Sequence, residues 1–130
     1  MKSLFFLHVK KLAKKSGVYY HSLPNLNLSE SYLTVREKEN RILEDEIVKN
    51  LPTISKQSAY YVEWNKRKDT QQRFEKYLQN KNIGSILEIG CGNGWFTNFL
   101  SNYCKEAIGQ DINCTELEQA ARIFKKENLI

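Results

Sequence analysis

Ser85–Leu100 reads SILEIGCGNGWFTNFL. A short run of apolar residues interrupted by one glutamate leads into Gly90, Gly92 and Gly94, and an apolar pattern at helical spacing follows at once. This order predicts a strand over Ser85–Ile89, a tight turn, and a helix from Trp95 to about Tyr103. Three alternating glycines exceed what a turn alone needs, and they let a backbone come close to a ligand.

The spacing narrows the ligand. A phosphate-cradling loop of the GxxxxGK[ST] type needs a Lys-Ser/Thr pair, and none follows Gly84 and Gly90. A dinucleotide loop of the GxGxxG type needs a third glycine for close helix–strand packing. Counted from Gly90 and Gly92, that position is Trp95. The pattern present is E-x-G-x-G-x-G, from Glu88 to Gly94. A carboxylate beside the loop repels a pyrophosphate and suits a ligand bearing ammonium or sulfonium charge.

A second strand is predicted over Ala107–Ile112 (AIGQDI), carrying Asp111 at its end. In a parallel sheet both strand ends open on one edge, where open α/β sheets bind ligands, and an aspartate there can accept two hydrogen bonds from a ribose diol. Thr115 and Glu118 read as a capping box that starts a helix with Leu117, Ala120, Ala121, Ile123 and Phe124. Strand, loop, helix, strand, helix implies a parallel sheet with right-handed crossovers.

ILEIGCGNGWFTNFL followed by AIGQDIN resembles the first two signature motifs of class I S-adenosylmethionine-dependent methyltransferases. The resemblance implies a Rossmann-like α/β fold over residues 84–130, truncated after the second strand–helix unit. It implies that Glu88 holds the amino-acid part of the cofactor and that Gly90, Gly92 and Gly94 allow close backbone approach. Asp111 would bind the ribose hydroxyls. Cys91 is counted with the loop by position, its side chain equally compatible with solvent, and Ile112 belongs either to the adenine pocket or to the core. The third strand of the family fold could only be starting at Asn128–Ile130, so no catalytic base can be assigned. The expectation is an N-terminal piece of a methyltransferase, inactive alone, acting in its intact form on a small molecule. A non-catalytic cofactor-binding or interaction module is the alternative, and an NAD-dependent oxidoreductase a weaker one. Unpaired sheet edges in such a piece predict self-association.

Residues 1–83 read as a mostly helical extension. They carry 16 Lys/Arg against 9 Asp/Glu, whereas residues 84–130 carry 4 against 6. The positive excess therefore belongs to the N-terminal region and leaves a nucleic-acid contact open, although a solvated helix face explains it too. Met1–Lys15 is read as a short basic amphipathic helix, and SGVYYHSLPNLNLSES as a loop or extended connection. Helical sequence with a break follows from about Ser29 to Asn80, with Leu43, Ile47 and Leu51 at four-residue spacing before Pro52. Tyr60, Tyr61 and Trp64, with Arg67 nearby, suit either a lid over the cofactor or plain packing.

Apolar and charged fractions of 41% and 27% are those of a globular chain, and no stretch approaches the ~20 apolar residues of a bilayer span. The N-terminus lacks the apolar length and the cleavage site of a signal peptide. Cys91, Cys104 and Cys114 show no ligand spacing, which predicts free thiols, no metal site and a cytoplasmic setting.

Overall fold

The computed structural model describes residues 4–21 and 28–130, with a mixed α/β arrangement. Ten elements follow in chain order: α1 (Leu4–Val9), β1 (Ala13–Lys15), β2 (Val18–Tyr20), α2 (Leu28–Lys38), α3 (Asp45–Asn50), α4 (Tyr61–Leu78), β3 (Ile83–Ile89), α5 (Trp95–Leu100), β4 (Cys104–Gln110) and α6 (Cys114–Ile123).

β3 and β4 pair in parallel, from Ile83 opposite Cys104 to Ile89 opposite Gln110. Both strands thus end at one edge, and the glycine loop leaves β3 there. Asn128–Ile130 lies along the other side of β4. Ala107 N–H donates to the Asn128 carbonyl at 2.8 Å, Ile130 N–H to the Ala107 carbonyl at 2.9 Å, and Gly109 N–H to the Ile130 carbonyl at 2.8 Å. β4 is therefore hydrogen-bonded on both sides.

The apolar core forms where α4 and α5 cover this sheet. Leu78, Phe99 and Leu100 are buried, with Ile83, Ile86, Phe96 and Tyr103 packed around them. Burying side chains of this size contributes roughly 1.5–3 kcal/mol each. The Phe96 and Phe99 rings stack 5.4 Å apart, and Phe74 from α4 meets Phe96 edge-on at 5.3 Å. Aromatic residues at i and i+3 on α5 thus tie the helix following the loop to the long helix preceding β3.

The N-terminal region differs from the sequence reading. The basic helix ends at Val9, not near Lys15, and Ala13–Lys15 pairs antiparallel with Val18–Tyr20 inside the stretch read as loop. Ser16 and Gly17 adopt φ of 50° and 84°. Two consecutive positive φ values make a hairpin turn whose twist matches the flanking strands, which overrides the helical propensity of AKK. The hairpin docks on α6, where Tyr20 Oη donates to Glu118 at 2.9 Å. The expected Thr115–Glu118 box is therefore not the helix start: Asn113 caps α6, its side chain accepting from Thr115 and Glu116 amides. The helical stretch after Ser29 is broken twice, and Leu43 and Leu51 lie outside α3. Strand β4 ends at Gln110, leaving Asp111 one residue beyond it.

Gly94 begins α5 at φ 72°, and a Cβ built there would stand 2.8 Å from Ala120 Cβ on α6. Gly94→Ala should therefore lower stability by at least about 2 kcal/mol through left-handed strain and overpacking together. Urea denaturation measures it, and Ala120→Gly in the same chain should recover the packing part. An unchanged midpoint for Gly94→Ala would contradict this account.

Candidate functional site

The loop at the sheet edge is built by a few backbone bonds. Gly90 and Cys91 amides donate to the Gln110 carbonyl at 2.7 and 3.1 Å, and Gly94 N–H donates to the Cys91 carbonyl at 3.0 Å. Asp111 then joins the two sides. Its Oδ2 accepts from Gly92 N–H at 2.7 Å and its Oδ1 from Asn113 N–H at 2.8 Å. The carboxylate fixes the loop after β3 and the helix start after β4 in one step. Each oxygen keeps a further lone pair for a ligand.

Above this loop opens a cavity of about 360 Å³, within the size range of small-molecule sites. Glu88, Gly90, Cys91, Gly92 and Asp111, all named from sequence, line it together with Asn93. Gly94 and Ile112 are not among its lining residues. Gly94 faces Ala120, and Ile112 is 53% exposed, belonging neither to the cavity wall nor to the core. Of the three loop glycines, Gly90 is the open one: nothing lies within 4 Å of a Cβ built there, so a ligand can approach its backbone.

The opposite wall comes from residues before the sheet. Tyr60, the N-cap of α4, and Glu63, Trp64 and Arg67 from its start line the cavity, with Arg36 of α2 and Arg41 after α2. Tyr60, Trp64 and Arg67 were named from sequence, but Tyr61 does not line the space. Trp64 meets Trp95 edge-on at 5.3 Å, so the residue in the third-glycine slot is an aromatic partner for the helical wall.

Sequence reading missed Arg36 and Glu116. Glu116 is 1% exposed beneath the loop, with Oε1 3.6 Å from the Cβ position of Gly92. It accepts from Asn113 Nδ2 at 2.7 Å and from Arg36 Nη2 at 2.9 Å. A signal was present: Asn113 and Glu116 stand three apart, as cap and third residue of a capping box do. Asp111 already takes the Asn113 amide, which frees Glu116 to pair with α2. The desolvated carboxylate requires that partner.

Electrostatics sets the protonation of the loop side. Burial raises the Glu88 carboxyl above its ordinary range, the Thr97 hydroxyl that donates to it partly offsets this, and the Asp111 charge raises it further. Burial first, then the Glu88 and Asp111 charges, push the Cys91 thiol up to about 12. Cys91 is thus a protonated thiol at neutral pH, not a nucleophile.

A comparison with known families agrees with this arrangement: residues 87–130 match the sequence model of the family described as "Methyltransferase domain". Residues 87–130 are thus similar to methyltransferase sequence. The match supports the resemblance to class I S-adenosylmethionine-dependent methyltransferases, and the matched stretch contains Glu88, the glycine loop and Asp111. No curated protein and no solved structure matches the chain. Among the described residues, no helix is long and apolar enough to cross a membrane.

The raised Glu88 carboxyl has a signed consequence. A carboxyl whose folded pKa lies above its unfolded one binds more protons folded than unfolded, so stability falls as pH rises through that window. Glu88→Gln should remove this fall, gaining stability relative to wild type as pH increases from about 4.5, the ordinary Glu range. Thermal melts between acidic and neutral pH test it; superimposable profiles for the two proteins would refute the assignment.

Proposed function

We propose that this chain binds S-adenosylmethionine at the glycine-loop cavity and belongs to a methyltransferase acting on a small molecule. The observation that carries the reading is the pairing of an open glycine backbone at Gly90 with two carboxylates, Glu88 and Asp111, on one cavity wall. Desolvated acid beside the loop favours a cationic ligand, since an approaching positive charge recovers the cost of ionising Glu88. The same acids repel the pyrophosphate of a nicotinamide dinucleotide. The donor set thus fits the sulfonium cofactor.

When bound, that cofactor supplies an electrophilic methyl group on sulfur. The chain's own contribution is grip and orientation. Glu88 faces the amino-acid end, Asp111 offers its remaining lone pairs to the ribose diol, and Gly90 admits close contact. Trp64, Trp95 and Phe96 make an apolar wall that limits water at the site. Positioning of this kind is the main protein contribution to methyl transfer, which needs two reactants held in line. The Rossmann-like assignment rests on the parallel β3–β4 pair together with the family match. A cytoplasmic location is in keeping with Cys91 and Cys104, which stand as thiols in no disulfide.

Isothermal calorimetry with S-adenosylhomocysteine and with NAD tests the reading. The expected outcome is binding of the first and not the second, with Asp111→Ala lowering affinity tenfold or more, roughly the loss of one or two charge-assisted hydrogen bonds. Affinity for S-adenosylmethionine itself should rise with pH as Glu88 ionises. Binding of NAD in preference to the thioether nucleoside would overturn the proposal.

A further inference from the structure

The N-terminal region carries charge that the cavity does not use. The first 29 residues hold five lysines and two histidines, and the first acid in the chain is Glu30. His8, Lys10, Lys11, Lys14 and Lys15 are exposed, and none of them lines the cavity. Among the described residues, Lys11, Lys14 and Lys15 enter no ion pair, and Lys14 lies over the Tyr19 ring at 4.9 Å. A stretch with no acid of its own projects a positive field over roughly 8 Å at physiological salt.

The same segment holds apolar side chains out in water. Leu4 is 86% exposed and Leu7 44%. They stand three apart on α1 and so share a face. Past Val9 the chain keeps turning: Lys11 N–H donates to the His8 carbonyl and Leu12 N–H to the Val9 carbonyl, both at 3.0 Å. Lys10 and Lys11 therefore follow Leu7 within about one turn, and β1 adds Lys14 and Lys15 directly after them. The platform beneath is fixed to the rest of the fold. A Cβ built on Gly17 would stand 2.8 Å from Ala121 Cβ, so the hairpin turn packs closely on α6, and Tyr20 Oη donates to Glu118 at 2.9 Å. Apolar and cationic groups are thus presented side by side on a folded element.

That combination selects the partner. A polynucleotide offers phosphates to the lysines and leaves both leucines in water. An anionic bilayer offers negative headgroups with hydrocarbon directly beneath them, so both kinds of side chain find a match. We propose that α1 and the β1–β2 hairpin dock on an anionic lipid surface. Leu4 and Leu7 enter the acyl boundary, while Lys11, Lys14 and Lys15 lie among the headgroups. The six residues of α1 span about 9 Å, so the segment lies in the surface and does not cross the bilayer. The docking surface is separate from the cavity lining, and the inference stands apart from the cofactor reading.

Vesicle co-sedimentation of the whole chain tests it, with vesicles of phosphatidylcholine alone and of equal parts phosphatidylcholine and phosphatidylglycerol. Wild type should pellet with the anionic vesicles and stay in solution with the neutral ones. Lys11→Glu combined with Lys15→Glu should lower the partition at least about tenfold, from the attraction that each lysine has for an anionic leaflet. Leu4→Asp should lower it about tenfold as well, the loss of one buried leucine side chain. Because Leu4 is exposed, Leu4→Asp should keep the wild-type melting temperature, which separates lost docking from lost folding. Poly(U) stands for the other occupant: binding of it by wild type and Leu4→Asp alike, with no vesicle partition, would give the lysines to nucleic acid and overturn the proposal. Anionic-vesicle binding that Leu4→Asp leaves unchanged would overturn it too, as would equal partition into both vesicle types or none into either.

Discussion

One carboxylate holds the site together. Asp111, a single residue past β4, accepts from the Gly92 amide on one side and the Asn113 amide on the other. Without it, the loop after β3 and the first turn of α6 would each keep an unsatisfied backbone donor at the same sheet edge. The parallel register brings the two strand ends level, so that the bond can form, and the bond then fixes the loop that leaves Gly90 open. A residue with a proposed ligand role is thus also part of the scaffold, which explains how a loop of glycines keeps one shape.

From Asp111 the order passes to α6, and from α6 to the N-terminal region. Glu116 reaches Arg36 of α2, Gln119 and Arg122 reach Asp45 at the start of α3, and Glu118 accepts from Tyr20 of the hairpin. The Arg122–Asp45 contact is bidentate, at 2.8 Å for each bond, and Arg122 first, then Gln119, hold the Asp45 carboxyl down at about 2. Successive polar positions along one helix therefore seat three separate upstream segments around the sheet. α4 is held separately, by Trp64 against Trp95 and Phe74 against Phe96, each at 5.3 Å.

The sequence made the strand–loop–helix–strand order plain because it is local: glycines with positive φ, apolar runs and Asp111 all lie within a few residues of what they control. Five of the seven residues named for the cofactor line one cavity for that reason. What was not legible depends on long-range contact. Gly94 looks like its neighbours in the sequence, yet its neighbour in space is Ala120, a fact set by how α5 crosses α6. Arg36 and Glu116 are eighty positions apart, and no periodicity connects them. The hairpin was missed although Ser16–Gly17 is a hairpin signal, because lysines and alanine around it favour a helix as well. The α6 start was misplaced by two residues because two overlapping capping patterns were present, and Asp111 decides between them by taking the Asn113 amide.

The central claim is that the glycine loop and the start of α4 are two walls of one cofactor site. Two-dimensional amide and indole NMR during titration with S-adenosylhomocysteine tests it most directly. The account predicts that the Gly90, Cys91 and Asn93 amides and the Trp64 and Trp95 indole signals shift together along one binding curve. Movement of the indoles with silent loop amides, or no saturable shift on either wall, would contradict it.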